Sequence, residues 1–275
     1  MNKELELVLK RFLDEDVGNG DISSKLLPIK TIRAKIISKQ NAIIAGTNFA
    51  KMIFDLNECY VKILKKDGEN IKSGDTILII KGIASTILKC ERTVLNLLSR
   101  MSGIATHTNE IIQIAKNINP SIEIYATRKT APGLRYFDKE AVKIGGGMKH
   151  RIDLSEAVML KDNHIIVYGS MTDLIKKAKS KYEVIETEVD NIEDAILAIK
   201  SGSNIIMLDN FSTHMINDTI TKLLKLGIRK NIKIEASGGI NIKNIHEYAK
   251  TDVDYISIGA ITNSVIGIDL SLEIM

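Results

Sequence analysis

Six short apolar runs, each followed by a helical pattern or a turn, constrain this chain more than any other feature. They are IEIYAT (122–127), AVMLK (157–161), EVIETE (183–188), NIIMLD (204–209), IKIEAS (232–237) and DYISIG (254–259). Segments such as NIEDAILAIKSG and THMINDTITKLLKLG, with apolar residues at helical spacing, separate most of them. The runs end 21 to 34 residues apart, and strand–helix units of that length join into a parallel sheet through right-handed crossovers. Each run also ends in a residue capable of chemistry: Thr127 followed by Arg128 and Lys129, then Lys161, Glu188, Asp209, Ser237 and Gly259. A βα barrel opens all such strand ends onto one mouth, whereas a doubly wound sheet gathers only those beside its switch point. Six units are fewer than a standard barrel has. The expected fold is therefore α/β, a reduced and partly open βα barrel.

The residues before it read differently. Leu5, Val8, Leu9, Phe12 and Leu13 form one helical stripe, and EDVGNGDISS follows as a turn-rich connection. Ile32, Ala34 and Ile36 alternate with Arg33 and Lys35, as in a half-exposed strand. KKDGENIKSGDTILII reads as two turns and a strand. Up to about residue 85 the chain is thus a small β-rich module behind an N-terminal helix, expected to cover part of the barrel. A long helix is predicted from Thr86 to Asn117, interrupted near Ser102–Gly103, with Ile87, Val94, Leu98 and Met101 on its buried face.

Charge narrows the function. The 38 basic and 34 acidic residues leave a net +4, and residues 127–161 alone hold eight basic against four acidic residues, also +4. The rest of the chain sums to zero. A nucleic-acid coat spreads its excess along a face or tail, and the absence of Trp with 4% aromatics argues against base stacking. A basic stretch is by default a solvated surface, but one framed by glycines suits a small, multiply charged anion. Cys59 and Cys90 are too few for a disulfide framework and point to a reducing cytoplasm. MNKELELVLKRF lacks the apolar core of a secretory signal, and no apolar run is long enough to span a membrane.

Several constellations carry the candidate chemistry. TRKTAPGLR (127–135) and GGGMKHR (145–151) supply Arg128, Lys129, His150 and Arg151. Arginine forks match carboxylate or phosphate through paired hydrogen bonds, so a group of them suits a ligand with more than one anionic group. Lys161, in LKDNH, can be a Schiff-base nucleophile, an anion clamp or half of a structural ion pair. Glu188 and Asp209 can hold sugar hydroxyls or a hydrated magnesium ion, or be surface acids. ASGGI (236–240) and SIGAIT (257–262) close the last two units, where barrels often bind phosphate through backbone N–H groups. Arg92, in the helical CERTVLNLLSRMSGIAT, can reach a ligand or simply cover surface.

Taken together, ERTVLNLLSRMSGIAT, TRKTAPGLR, GGGMKHR, LKDNH, ETEVDN, MLDNF, EASGGI and SIGAIT occur in the order seen in the quinolinate phosphoribosyltransferase family, and EDVGNGDISS fits as well. The resemblance implies an N-terminal α/β sandwich domain (1–105, to which the tail 265–275 can return) followed by a βα-barrel phosphoribosyltransferase domain (106–264). It implies a dimer in which the neighbour's N-terminal domain closes each site. The implied reaction joins phosphoribosyl pyrophosphate and quinolinate, giving nicotinate mononucleotide, pyrophosphate and carbon dioxide, with magnesium bound alongside the pyrophosphate. By the same resemblance Arg92, Arg128, His150 and Arg151 hold the two quinolinate carboxylates. Lys129 and Lys161 contact carboxylate or pyrophosphate oxygens, and Glu188 and Asp209 bind the ribose hydroxyls directly or through magnesium. Thr127, Ser237, Gly238, Gly239, Ile258, Gly259 and Ala260 complete the phosphoribose cradle. Lys149 departs from the Asn that many members carry before the His-Arg pair, and DLSEA (153–157) is similar to a molybdenum-transport-associated homologue with another aromatic acid. That sister transferase is the nearest alternative; a Schiff-base lyase and a phosphate-ligand sensor are more distant ones.

Overall fold

A computed structural model describes residues 3–275 as two compact units. Of the described residues, the first comprises 3–107, Glu140–Gly145 and Val265–Met275, the second Thr108–Lys139 and Gly146–Ser264.

The first unit begins with α1 (Lys3–Val17), whose apolar stripe buries Leu9 and Leu13. A 3-10 turn (Ser24–Leu26) leads to β1 (Thr31–Ser38), β2 (Ala42–Ile43), α2 (Thr47–Asp55), β3 (Tyr60–Ile63), β4 (Asn70–Ile71), β5 (Thr76–Ile83) and α3 (Ala84–Ile118), whose residues from Thr108 count with the second unit. Strands β1, β5 and β3 form an antiparallel sheet. In β1, Ala34 and Ile36 point into the core while Arg33 stays exposed. The alternation stops where the β1–β5 register shifts between Ile36 and Ile37, and both of these isoleucines are buried. One extra residue in a strand changes which face the next side chain meets.

The 35-residue α3 is continuous, where the sequence reading placed an interruption at Ser102–Gly103. Those small residues serve packing instead. Ser102 Oγ accepts from the Ala45 N–H (2.9 Å) and donates to the Ala45 carbonyl (3.2 Å). Gly103 faces the Ile266 carbonyl so closely that an added Cβ would collide with it. Ile87, Val94, Leu98 and Met101 are all fully buried. Both cysteines are free and buried, and burial pushes the Cys90 thiol up to about 12. Among the described residues no helix is long and apolar enough to cross a membrane.

The second unit contains β6 (Glu123–Ala126), the start of α4 (Arg135–Ile144, whose residues from Glu140 count with the first unit), β7 (Val158–Leu160), α5 (Asp162–Tyr168), α6 (Met171–Lys179), β8 (Ile185–Val189) and α7 (Ile192–Ser201). It continues through β9 (Ile205–Asp209), α8 (Thr213–Lys225), β10 (Lys233–Ser237), α9 (Ile245–Tyr248), β11 (Tyr255–Ile258) and α10 (Ala260–Asn263). All six strands are parallel, in the order β6-β11-β10-β9-β8-β7. From β7 to β11 chain neighbours are thus sheet neighbours, and the last strand comes back to lie beside the first. That is a barrel order, left open between β7 and β6. A lone parallel bridge from Tyr125 to Met148 begins to fill the opening. Ile206, Ile234 and Ile256 are fully buried on these strands, each worth about 1.5–3 kcal/mol of burial. Helix starts follow local chemistry: Asn191 Oδ1 accepts from the Asp194 N–H (2.8 Å) at the head of α7. Beyond the barrel, β12 (Leu270–Ile274) pairs antiparallel with β1 on the edge of the first unit's sheet.

Candidate active site

Parallel strands send all their carboxyl ends to one side, so the residues that end each apolar run have to share a neighbourhood. They surround a cavity of about 330 Å³ lined by Thr127, Arg128, Lys129, His150, Arg151, Lys161, Glu188, Asp209 and Ser237, together with Met159, Met207, Glu235 and Ser257. A second hollow of about 260 Å³ shares Thr127, Lys129, Ser237 and Ser257 with it and adds Gly238, Gly239, Gly259, Ala260, Asn241, Asn263 and Ser264. Two sequence-predicted site residues line neither. Ile258 is buried in β11, so only its main chain could serve a ligand, and Arg92 belongs to the first unit, exposed on α3. A larger cavity of about 620 Å³ in the first unit lies between α1 and α2 and gathers no strand ends.

One side of the first cavity is cationic. Arg151 is 9% exposed, with its guanidinium donating to the Ala157 carbonyl (3.3 Å) and the Met159 sulfur (3.1 Å). Burial and the neighbouring Arg128 charge both push its pKa down, although a guanidinium stays protonated. Arg128 Nε is buried without a hydrogen-bond partner among the described residues. Two guanidiniums that repel each other, one with a donor unmet, form a site that an anion stabilises. The Lys161 ammonium pairs with Glu188 Oε2 across neighbouring strands. His164 Nδ1 accepts the Lys161 N–H (2.9 Å), which orients the turn after β7.

The cavity floor is acidic. His150 has φ 53°, and its Nδ1 accepts the Arg151 N–H at 2.8 Å. The ring proton therefore sits on Nε2, which lies 3.4 Å from Glu235 Oε2 and 3.7 Å from Glu186 Oε2. Glu186 is 3% exposed and Glu235 fully buried, and each keeps one carboxyl oxygen without a hydrogen bond among the described residues. Ser257 Oγ donates to Glu235 Oε1. Burial first, and the facing Glu235 second, push the Glu186 carboxyl up to about 9. These three residues are close enough to ligate a metal ion. The proton held by the pair relieves the same repulsion, with the Arg151 charge nearby.

Sequence reasoning missed Glu186 and Glu235. The signal was available: side chains alternate along a strand, so the residue two before an inward-facing strand end faces inward too. Glu186 precedes Glu188, and Glu235 precedes Ser237, by that step.

Glu186 makes a stability prediction. Its folded pKa of about 9 lies above the ordinary carboxyl value of 4.5, so the folded chain holds a proton that the unfolded chain has released between those values. Stability is then greatest at the acid end and declines as pH rises toward 9. Glu186→Gln should flatten that decline in urea midpoints measured across the window. An unchanged pH slope in the variant would show that Glu186 carries no such proton.

Glycine turns form part of the second hollow's wall. Gly238 has φ 90° and abuts Asn210 so closely that any Cβ would collide with its side chain and N–H. Asn210 itself sits at φ 56°. Thr262 Oγ1 donates to the Lys129 carbonyl (2.9 Å), tying the loop after β6 to α10. Glycine-bearing turns that line a hollow suit a phosphate, because their main chain can approach it closely. Asn241, Asn263 and Ser264 are further wall residues that the sequence reading did not single out.

Comparison with known proteins agrees with this geometry. Residues 21–102 match the N-terminal domain of quinolinate phosphoribosyl transferase and residues 104–273 its C-terminal domain. A probable nicotinate-nucleotide pyrophosphorylase [carboxylating] of Archaeoglobus fulgidus is 44% identical over 93% of this chain and 98% of that protein. Its Bacillus subtilis counterpart, described in the same words, is 39% identical over 98% of this chain and 93% of that protein. The solved nicotinate-nucleotide pyrophosphorylase of Francisella tularensis superposes with a TM-score of 0.92 at 34% identity, covering 100% of this chain and 98% of the other. With both domain models matched and the strand-end residues gathered around one cavity, the chain belongs to the quinolinate phosphoribosyltransferase family.

Proposed function

We infer that this protein is a carboxylating nicotinate-nucleotide pyrophosphorylase, an NAD-biosynthetic pentosyltransferase. It transfers phosphoribose from phosphoribosyl pyrophosphate to quinolinate and releases pyrophosphate and carbon dioxide. The observation that carries the reading is the meeting of Arg128, Lys129, Arg151 and Lys161 with Glu188 and Asp209 around one cavity. Quinolinate is a dianion and phosphoribosyl pyrophosphate is more negative still, so their encounter needs a cationic lining to offset repulsion. Each charge-assisted contact is worth about 1.5–3 kcal/mol.

Arg128 and Arg151, with His150 beside them, take the two ring carboxylates, and Lys129 and Lys161 take carboxylate or pyrophosphate oxygens. Glu188 and Asp209 hold the ribose hydroxyls, while the glycine turns after β10 and β11 hold the 5′-phosphate. Breaking the bond from ribose to pyrophosphate builds positive charge on the sugar. The carboxylates stabilise that charge and the lysines stabilise the leaving group. After the ring nitrogen is alkylated, the carbon–carboxylate bond breaks with its electron pair held beside the cationic nitrogen. A proton then replaces carbon dioxide. No step asks for a covalent nucleophile, and Lys161 is already engaged by Glu188.

Magnesium enters with phosphoribosyl pyrophosphate as part of that substrate. Glu188 is paired with a lysine and Asp209 accepts from Asn210 Nδ2 (2.7 Å), so the two together fit a ribose better than a bare ion. The exposed position of Arg92 on the first unit suits a homodimer in which each chain lends Arg92 to its neighbour's cup. Two buried thiols suit the reducing cytoplasm.

The test incubates the protein with carboxyl-labelled quinolinate, phosphoribosyl pyrophosphate and magnesium. Labelled carbon dioxide and pyrophosphate should appear in equal amounts. Silence with quinolinate but turnover of another aromatic acid would transfer the chain to the sister phosphoribosyltransferases.

A further inference from the structure

Lys139 is a fully buried cation close to the cavity, and it lines neither hollow. It lies in α4 with no exposed surface. Its ammonium donates to the Ala126 carbonyl (2.9 Å), the Arg151 carbonyl (3.1 Å) and the Lys149 carbonyl. An ammonium has three donors, and all three are used on main-chain oxygens. A group so occupied cannot also deliver a proton to a substrate.

The identity of the acceptors matters. Ala126 closes β6, two residues before Arg128, and Lys149 and Arg151 flank His150. Deeper in the barrel these two segments are held by ordinary ladder bonds, from the Ala126 N–H to the Met148 carbonyl (2.9 Å) and from the Met148 N–H to the Ile124 carbonyl (2.8 Å). The ladder ends there, and Lys139 joins the segments where it stops. Four residues earlier on α4, Arg135 repeats the device: Nε donates to Thr130 Oγ1 (3.2 Å) and Nη1 to the Ile152 carbonyl (3.4 Å). Residues four apart share a helix face, so one face of α4 fastens both arginine-bearing segments at two levels. Three carbonyl dipoles converging on one point repel each other unless a cation sits between them.

We propose that Lys139 is a positioning residue that sets the separation of the Arg128 and Arg151 guanidiniums, and with it the preference for an aromatic acid bearing two neighbouring carboxylates. The proposal rests on the reading of the cavity as a quinolinate site. It adds that the two-carboxylate fit is set from behind the pocket. The charged groups acting on Lys139 are Arg135 on its own helix and Arg128 and Arg151 on the fastened segments, with Glu156 opposing them. Burial and the three arginines bring the ammonium down to about 8, so mild alkali should loosen the fastening.

The experiment compares wild type with Lys139→Met and Lys139→Arg. Three quantities are read: the quinolinate KM, the phosphoribosyl pyrophosphate KM, and the Kd for benzene-1,2-dicarboxylate by titration, which needs no turnover. Lys139→Met should raise the quinolinate KM and the dicarboxylate Kd about tenfold or more, leaving the phosphoribosyl pyrophosphate KM within about twofold. Wild-type dicarboxylate binding should weaken above pH 8, and Lys139→Arg, which keeps its proton, should restore tight binding and shift that weakening to higher pH. Equal losses for both substrates in Lys139→Met, or unchanged dicarboxylate binding, would overturn the proposal. Should Lys139→Met not fold, an alkaline limb in Lys139→Arg identical to that of wild type overturns it equally. A wild type that binds the dicarboxylate but releases no carbon dioxide refutes the assigned reaction and leaves this test standing.

Discussion

Arg151→Ala is expected to weaken quinolinate binding by about 30- to 1000-fold, the equivalent of about 2–4 kcal/mol. Arg151 is the more buried of the two arginines and is fixed by the Ala157 carbonyl and the Met159 sulfur. Its loss removes a preset, desolvated fork that a more exposed residue could not replace. Arg128→Ala should fall at the lower end of that range, because Arg128 is half-buried and its Nε begins without a partner. The two guanidiniums repel, so the double substitution should cost less than the sum of the singles. Arg151 also lowers the Glu186 pKa, and Arg151→Ala should let Glu186 keep its proton to a higher pH. Isothermal titration with quinolinate alone measures the first effect. Wild-type affinity in both single variants would remove the dicarboxylate assignment.

Glu188→Gln combined with Asp209→Asn should lower kcat by about 10²–10³-fold, the scale seen when one preorganised electrostatic partner of a transition state is removed. Both carboxylates face the cavity in which the sugar develops positive charge. Their amides keep the shape and lose the charge. Quinolinate affinity should stay near that of wild type, since neither residue belongs to the arginine side. Glu188→Gln also leaves the Lys161 ammonium without its partner, so pyrophosphate should bind the variant at least as tightly as it binds wild type. Single-turnover kinetics separates the chemical step from product release. An undiminished chemical step would relegate Glu188 and Asp209 to substrate binding alone.

Much of the barrel and most of its strand-end residues were legible because the relevant signals are local. An apolar run of a few residues followed by an amphipathic helix identifies a strand–helix unit wherever it occurs, and the last residue of the run must lie at the strand's carboxyl end. Thr127, Lys161, Glu188, Asp209 and Ser237 could therefore be assigned from position alone, and all line the same cavity. The helix over residues 84–118 shows where local reading fails. Ser102 and Gly103 look like a break, yet the Ala45 main chain and the Ile266 carbonyl use exactly such small residues as contact points.

The sequence by itself determined the succession of strand–helix units, the chemistry at each strand end and the concentration of positive charge beside the glycines. Only the tertiary structure decided that β6 closes on β11, that Glu186 and Glu235 meet beneath His150, and that a buried lysine gathers three carbonyls. Periodicity and capping act over a few neighbouring residues, so a chain displays them openly. Which distant groups share a low-dielectric interior depends on how all the units pack at once, and that packing alone determines whether a buried charge finds a partner.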